Sequence, residues 1–181
     1  FPEFKYLDRL EKFHHLLKKN FLFQSPEIIF SILLIDAKDN YQYFCHKYIV
    51  SNKLKKDLSF TAKNYIKYKE ERNYFKKDLK KNVYKLGKNN IKKLLWFIYC
   101  AEPKFSRKLL SNTIEEINKI DIPIFPFNGQ YLIDQGLVDG KNIGKTLKEL
   151  EEEWVKKDFD LKANEVIYIV DKAKKLNILN I

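Results

Sequence analysis

Two short segments dictate what this chain can fold into. Residues 28–35 carry Ile28, Ile29, Phe30, Ile32, Leu33, Leu34 and Ile35, and residues 91–100 run from Ile91 through Trp96 to Cys100 with almost nothing polar. Wound as helices, the first leaves no face that water can wet and the second, Lys92 and Lys93 apart, nearly none, so each has to sit inside a ring of other helices. Both are far short of the ~20 apolar residues that span a bilayer. The rest of the chain must therefore supply amphipathic helices to cover them.

It does so in order. Residues 3–19 place Phe4, Leu7, Leu10, Phe13 and Leu17 at helical spacing, and Ser25-Pro26-Glu27 opens the first all-apolar helix as cap, first-turn proline and first-turn acid. Residues 40–49 form a third helix on Tyr41, Phe44, Cys45, Tyr48 and Ile49. Ser51 caps a fourth that runs to about residue 69, with Leu54, Leu58, Thr61 and Tyr65 inward and Lys53, Lys56, Lys63 and Lys67 outward. Residues 73–86 repeat the pattern, Phe75, Leu79, Val83 and Leu86 opposing Lys77, Lys80 and Lys81, and end at Gly87. Asn89 or Asn90 caps the second all-apolar helix, Pro103 stops it, and residues 106–120 make one more. No strand and no internal repeat is visible, and 45% apolar with 15% aromatic residues excludes a disordered chain.

Residues 121–127, with Pro123 and Pro126, read as an extended hinge that divides an all-α chain into a helical bundle body, 1–120, and a smaller helical tail, 121–181. The tail holds four of the five glycines. Asn128 caps a short helix of Gly129, Tyr131, Leu132 and Ile133, and Gly136 supplies the left-handed residue that ends it. Gly140 and Gly144 stand one turn apart at the start of the next helix, where a missing side chain admits a close neighbour, while Ile143, Leu147, Leu150 and Trp154 form its apolar stripe. Lys141, Lys145 and Lys148 lie opposite. A helix start presents unpaired N–H groups and partial positive charge, so Lys141 and Lys145 beside it suit a phosphate. A last helix, 164–176, packs through Val166, Ile167, Ile169, Val170 and Ala173.

The net charge is +11, and its distribution is uneven: residues 47–93 hold 16 basic and four acidic residues, a net +12 that leaves −1 elsewhere. Such a concentration points to a polyanionic partner. The competing reading is the solvated face of a lysine-rich bundle.

The tail also carries a resemblance. Phe125-Pro126-x-x-Gly129-x-x-Leu132-x-x-x-Gly136, then Gly140-x-x-Ile143-Gly144-x-x-Leu147-x-x-Leu150-Glu151-x-x-Trp154 and a closing Asp158-Phe159, is similar to the C-terminal part of bacterial tRNA nucleotidyltransferases, the CCA-adding and poly(A) polymerase family. Upstream, Ser51-Asn52-Lys53-Leu54, the helix end Val83-Tyr84-Lys85-Leu86-Gly87 and the apolar helix after it also resemble that family. The resemblance implies that 1–120 is the end of the neck and the body, and 121–181 the tail, of a CCA-adding enzyme. It further implies that the region holds tRNA by its backbone and positions the 3′ end for CTP and ATP addition elsewhere. The expected RNA-binding residues are Lys53, Lys56, Lys63, Lys67, Lys77, Lys80, Lys81, Lys141 and Lys145, with Gly129, Gly136, Gly140, Gly144 and Trp154 as the structural motif.

Catalysis is not expected of this chain. The family's head holds magnesium with a Gly-Ser pair and two close aspartates; no Gly-Ser occurs here, and the only Asp-x-Asp, Asp158-Phe159-Asp160, follows an acidic helix. Glu70-Glu71-Arg72 has neither the order nor the spacing of the neck motif that selects nucleotides. His14 and His15 point about 100° apart on one helix and cannot share a metal from it. Gly140 to Thr146 has its glycines too close for a phosphate-binding P-loop. No cofactor is expected, magnesium and CTP or ATP belonging to a catalytic head in the same or another chain. A start at Phe1 reads as a fragment, cytoplasmic, with no membrane partner. The alternatives are the same region of a bacterial poly(A) polymerase and a non-catalytic helical protein-interaction module.

Overall fold

The computed structural model describes residues 1–17, 26–71, 73–138 and 140–178, the side chains of 15–17 and 176–178 excepted. Ser25, Arg72 and the side chains of His15, Leu17 and Leu176 therefore lie outside the described residues. All regular structure among the described residues is α-helical, and the chain separates into two units, Phe1–Ile120 and Asp121–Ile181.

The first unit contains α1 (Leu7–Leu17), α2 (Pro26–Leu34), α3 (Asn40–Lys47), α4 (Asn52–Glu70), α5 (Leu79–Leu86), α6 (Lys88–Ala101) and α7 (Arg107–Lys119). The two helices without a wet face are at its centre. On α6, Ile91, Leu94, Leu95, Trp96, Phe97, Ile98 and Cys100 are all buried, because α1, α2, α4, α5 and α7 pack around it. Helix α2 is covered by α1, α3, α4 and α6. A buried helix end leaves carbonyls that only side chains can satisfy, and α1 does this for both central helices. Arg9 donates to Ile35 O (2.7 Å) at the end of α2, helped by Asn40 Nδ2 on Leu34 O (2.9 Å), while Lys12 Nζ donates to Tyr99 O (3.3 Å) and Glu102 O (3.4 Å) at the end of α6.

Several boundaries differ from the periodicity reading, among them the end of the third helix, which stops at Lys47 and leaves Ile49 exposed at φ +47. Helix α1 starts at Leu7, after a turn in which Phe4 N donates to Phe1 O. Residues 73–77 are turns, not helix: Lys76 and Lys77 N–H groups both return to Asn73 O, and Asn82 Nδ2 holds Tyr74 O, so Tyr74 and Phe75 reach the core from a turn and α5 begins only at Leu79. The cap of α6 is Gly87 rather than Asn89 or Asn90. At φ +82 and ψ 146 it occupies a region essentially restricted to glycine. Its N–H closes α5 on Val83 O and its carbonyl accepts from Ile91 N, so one residue joins the two helices.

The second unit contains α8 (Gly129–Asp134), α9 (Gly140–Lys156) and α10 (Ala163–Ile178). Asn128 caps α8 through Oδ1, which accepts from Tyr131 N at 2.9 Å. Gly136, φ +91, ends it with two bonds, Gly136 N to Ile133 O and Leu137 N to Leu132 O, and the fully buried Leu132 and Leu137 meet in the core. These features together make a Schellman cap. Helix α9 ends the same way without glycine. Asp158 and Phe159 adopt φ +59 and +68, their N–H groups return to Val155 O and Trp154 O, and the Phe159 ring lies 5.0 Å from that of Trp154. On α9 and α10, Leu150, Val166, Ile169 and Val170 complete the core, whereas Ile167 is 54% exposed. Among the described residues no element abuts Gly140 or Gly144: a side chain placed on either meets nothing within 4 Å, so they do not admit a close backbone there. Gly129 has only an ordinary contact, Ile143 Cγ2 at 3.7 Å.

Candidate functional site

Helix α4 begins at Ser51, whose hydroxyl accepts from Leu54 N at 3.2 Å. Leu58, Thr61, Ala62 and Tyr65 then bury one side of it, which turns Lys53, Lys56, Lys63 and Lys67 to the exposed side. These four are not equivalent. Lys53 Nζ lies 3.1 Å from Glu27 Oε1, and that hydrogen bond raises its pKa and engages its charge within the protein. No carboxylate among the described residues pairs with Lys56, Lys63 or Lys67, nor with the neighbouring Lys55.

Three of these lysines line a groove. Helices α3 and α4 both pack on α2, and between them opens a groove of about 1250 Å³. Tyr41, Tyr43 and His46 come to it from α3, and Lys55, Lys56, Phe60 and Lys63 from α4; Asp39 is its single carboxylate. Tyr43 is 58% exposed, with Lys47 Nζ at 5.7 Å from its ring centre. Lys47 in turn anchors the N-terminal segment, 2.9 Å from the buried Glu3 carboxylate, which also accepts from Tyr48 OH at 3.1 Å. Those bonds, Lys47 first, hold the Glu3 carboxyl below its ordinary pKa. Helix α3 is thus tied to the N-terminal segment by an ion pair whose carboxylate is buried and whose ammonium is exposed.

Lys77, Lys80 and Lys81 are not among the residues that line the groove. Lys77 and Lys80 are exposed, Lys77 in the turn before α5, while Lys81 is half-buried with its Nζ 3.7 Å from Asp78 Oδ1. Helix α5 packs on α6 and α7. In the second unit, Lys141 and Lys145 are exposed along the first turns of α9, beside the open Gly140 and Gly144. Trp154 is buried between Phe125, at 5.4 Å between ring centres, and Phe159. The residues that periodicity passed over are Lys55, His46 and Tyr43. Tyr43 carried a signal, being the aromatic of α3 that fits no buried position of that helix.

The two cysteines of the first unit are held as thiols. Burial raises the pKa of the Cys45 thiol and pushes that of Cys100 up to about 12, so neither presents a thiolate. Among the described residues, no three His, Cys, Asp or Glu side chains gather where they would hold one metal ion, and no helix is long and apolar enough to cross a membrane. What the arrangement can do is hold an anion-bearing partner along an open, partly aromatic surface. Compared with protein-family models, with curated proteins and with solved structures, the chain matches none.

Proposed function

We propose that this chain is an RNA-holding region, the body and tail of a tRNA nucleotidyltransferase of the CCA-adding type, which grips tRNA while a separate catalytic head extends the 3′ end. The tail motif from Phe125 to Phe159 supports the family. The observation that carries RNA holding is the groove: three lysines without carboxylate partners, with His46 beside them, against one carboxylate. A polyanion gains there by releasing counterions as lysines replace them at its phosphates. Duplex RNA is gripped in this manner because its deep major groove excludes side chains, leaving shape and phosphates to be read. Lys67, without a carboxylate partner on the exposed side of α4, extends the same basic surface. Lys141 and Lys145 add a smaller phosphate contact at the α9 start.

The test pairs binding with chemistry. A gel shift of the pure chain with a tRNA transcript at low salt should give a complex, while CTP and ATP with magnesium should yield no incorporated CMP or AMP. Incorporation by the pure chain would overturn the assignment of catalysis to a separate head. Failure to shift tRNA would overturn RNA holding and return the chain to the protein-interaction alternative.

A further inference from the structure

We propose that the groove between α3 and α4 seats an unpaired stretch of RNA, its bases against Tyr43 and Phe60 and its phosphates toward Lys55, Lys56 and Lys63. This rests on the RNA-holding reading and adds which part of the RNA enters. A duplex hides the faces of its bases, so an aromatic side chain offers it little, whereas an unpaired base stacks on such a ring. Tyr43 is a water-exposed aromatic on the α3 wall, and the facing helix α4 carries the half-buried Phe60 together with Lys55, Lys56 and Lys63. That combination of ring and positive charge is what sequence-tolerant single-strand binding requires. The dimensions agree. Sites for drug-sized ligands occupy roughly 300–1,000 Å³, and this groove, at about 1250 Å³, exceeds the needs of one nucleotide. Lys56 and Lys63 are seven residues apart on the same side of α4, about 10.5 Å along its axis, so they address different phosphates of an extended strand. An acidic peptide would satisfy the lysines but would have no use for the ring, and this distinguishes the two occupants.

The experiment is fluorescence anisotropy of the full chain with two probes, a six-nucleotide uridine oligomer and a blunt RNA duplex of twelve base pairs. Tyr43→Ala should weaken the oligomer by about 5- to 100-fold, the range of one lost base stack, and change the duplex by less than about twofold. Tyr43→Phe keeps the ring and should retain oligomer affinity. Lys56→Ala with Lys63→Ala should weaken both probes. An oligomer affinity that ignores Tyr43→Ala but falls with the lysine pair would overturn the unpaired-strand proposal and leave RNA holding intact. An oligoglutamate peptide bound as tightly as the oligomer, with neither affinity changed by Tyr43→Ala, would overturn it in favour of an acidic partner. No binding of either RNA would remove both.

Discussion

In the first unit a central helix, α6, is enclosed by five others, and side chains of α1 satisfy the carbonyl ends of both central helices, Arg9 that of α2 and Lys12 that of α6. In the second, three helices share a small core of Leu132, Leu137, Leu150, Val166, Ile169 and Val170, and order is imposed at the helix ends by Asn128, Gly136 and the Asp158-Phe159 pair. Long-range enclosure spreads stability over many contacts, whereas a small unit concentrates it in a few residues. The basic residues differ likewise. In the first unit lysines line a groove with aromatic walls; in the second they stand beside open glycines.

The strongest way to break this comparison is Trp154→Ala. Trp154 is 5% exposed and lies between two rings, so its removal should cost ~3–5 kcal/mol. A core in a unit this small rarely supplies more than about 3–5 kcal/mol in total. Hydrogen exchange should therefore show α8 to α10 losing protection together while α2 and α6 keep theirs. Equal loss in both units, or a cost below ~1 kcal/mol in urea melts, would contradict separate cores.

Gly136→Ala is next. A side chain at φ +91 carries the left-handed penalty, about 1–2 kcal/mol, and breaks the cap of α8. Gly144→Ala sharpens the contrast by its opposite sign. It lies inside α9 with nothing within 4 Å, so alanine should stabilise by about 0.5–1 kcal/mol through helix propensity. If Gly144→Ala destabilises, a neighbour does approach α9 there. In the first unit, Ser51→Ala removes the cap of α4 and should cost about 1 kcal/mol in denaturant melts, a loss spread over a helix held along its buried side by Leu58, Thr61, Ala62 and Tyr65.

Much of the helical order is legible from side-chain chemistry alone. Ile28 to Ile35 and, Lys92 and Lys93 apart, Ile91 to Cys100 are apolar on nearly every side, which dictates their burial, and the stripe of α9 and the Asn128 and Gly136 caps follow from local rules. What escapes periodicity is decided by contacts distant in sequence. Phe75 has helical spacing to Leu79, yet Asn82 holds Tyr74 O in a turn. Ile49 and Ile167 look like core residues but are 91% and 54% exposed, because no element among the described residues comes to cover them. The groove was not visible because it exists only when α3 and α4 both lean on α2. Lys53 matches Lys56 in sequence, but folding sets Glu27 against it.

The central claim is that the α4 lysines contact RNA phosphates, and a filter-binding titration against tRNA at several salt concentrations tests it most directly. Each phosphate contact truly lost should flatten the slope of log affinity against log salt by roughly one unit. Lys56→Ala, Lys63→Ala and Lys67→Ala together should flatten it most and weaken different tRNAs alike. Lys141→Ala with Lys145→Ala should have a smaller effect, since helix N–H groups still face the phosphate. Lys53→Ala should have the least, because Glu27 already engages that ammonium. All should melt within about 0.5 kcal/mol of the parent, as exposed lysines contribute little to folding. Parallel lines for the parent and the triple variant would contradict the claim.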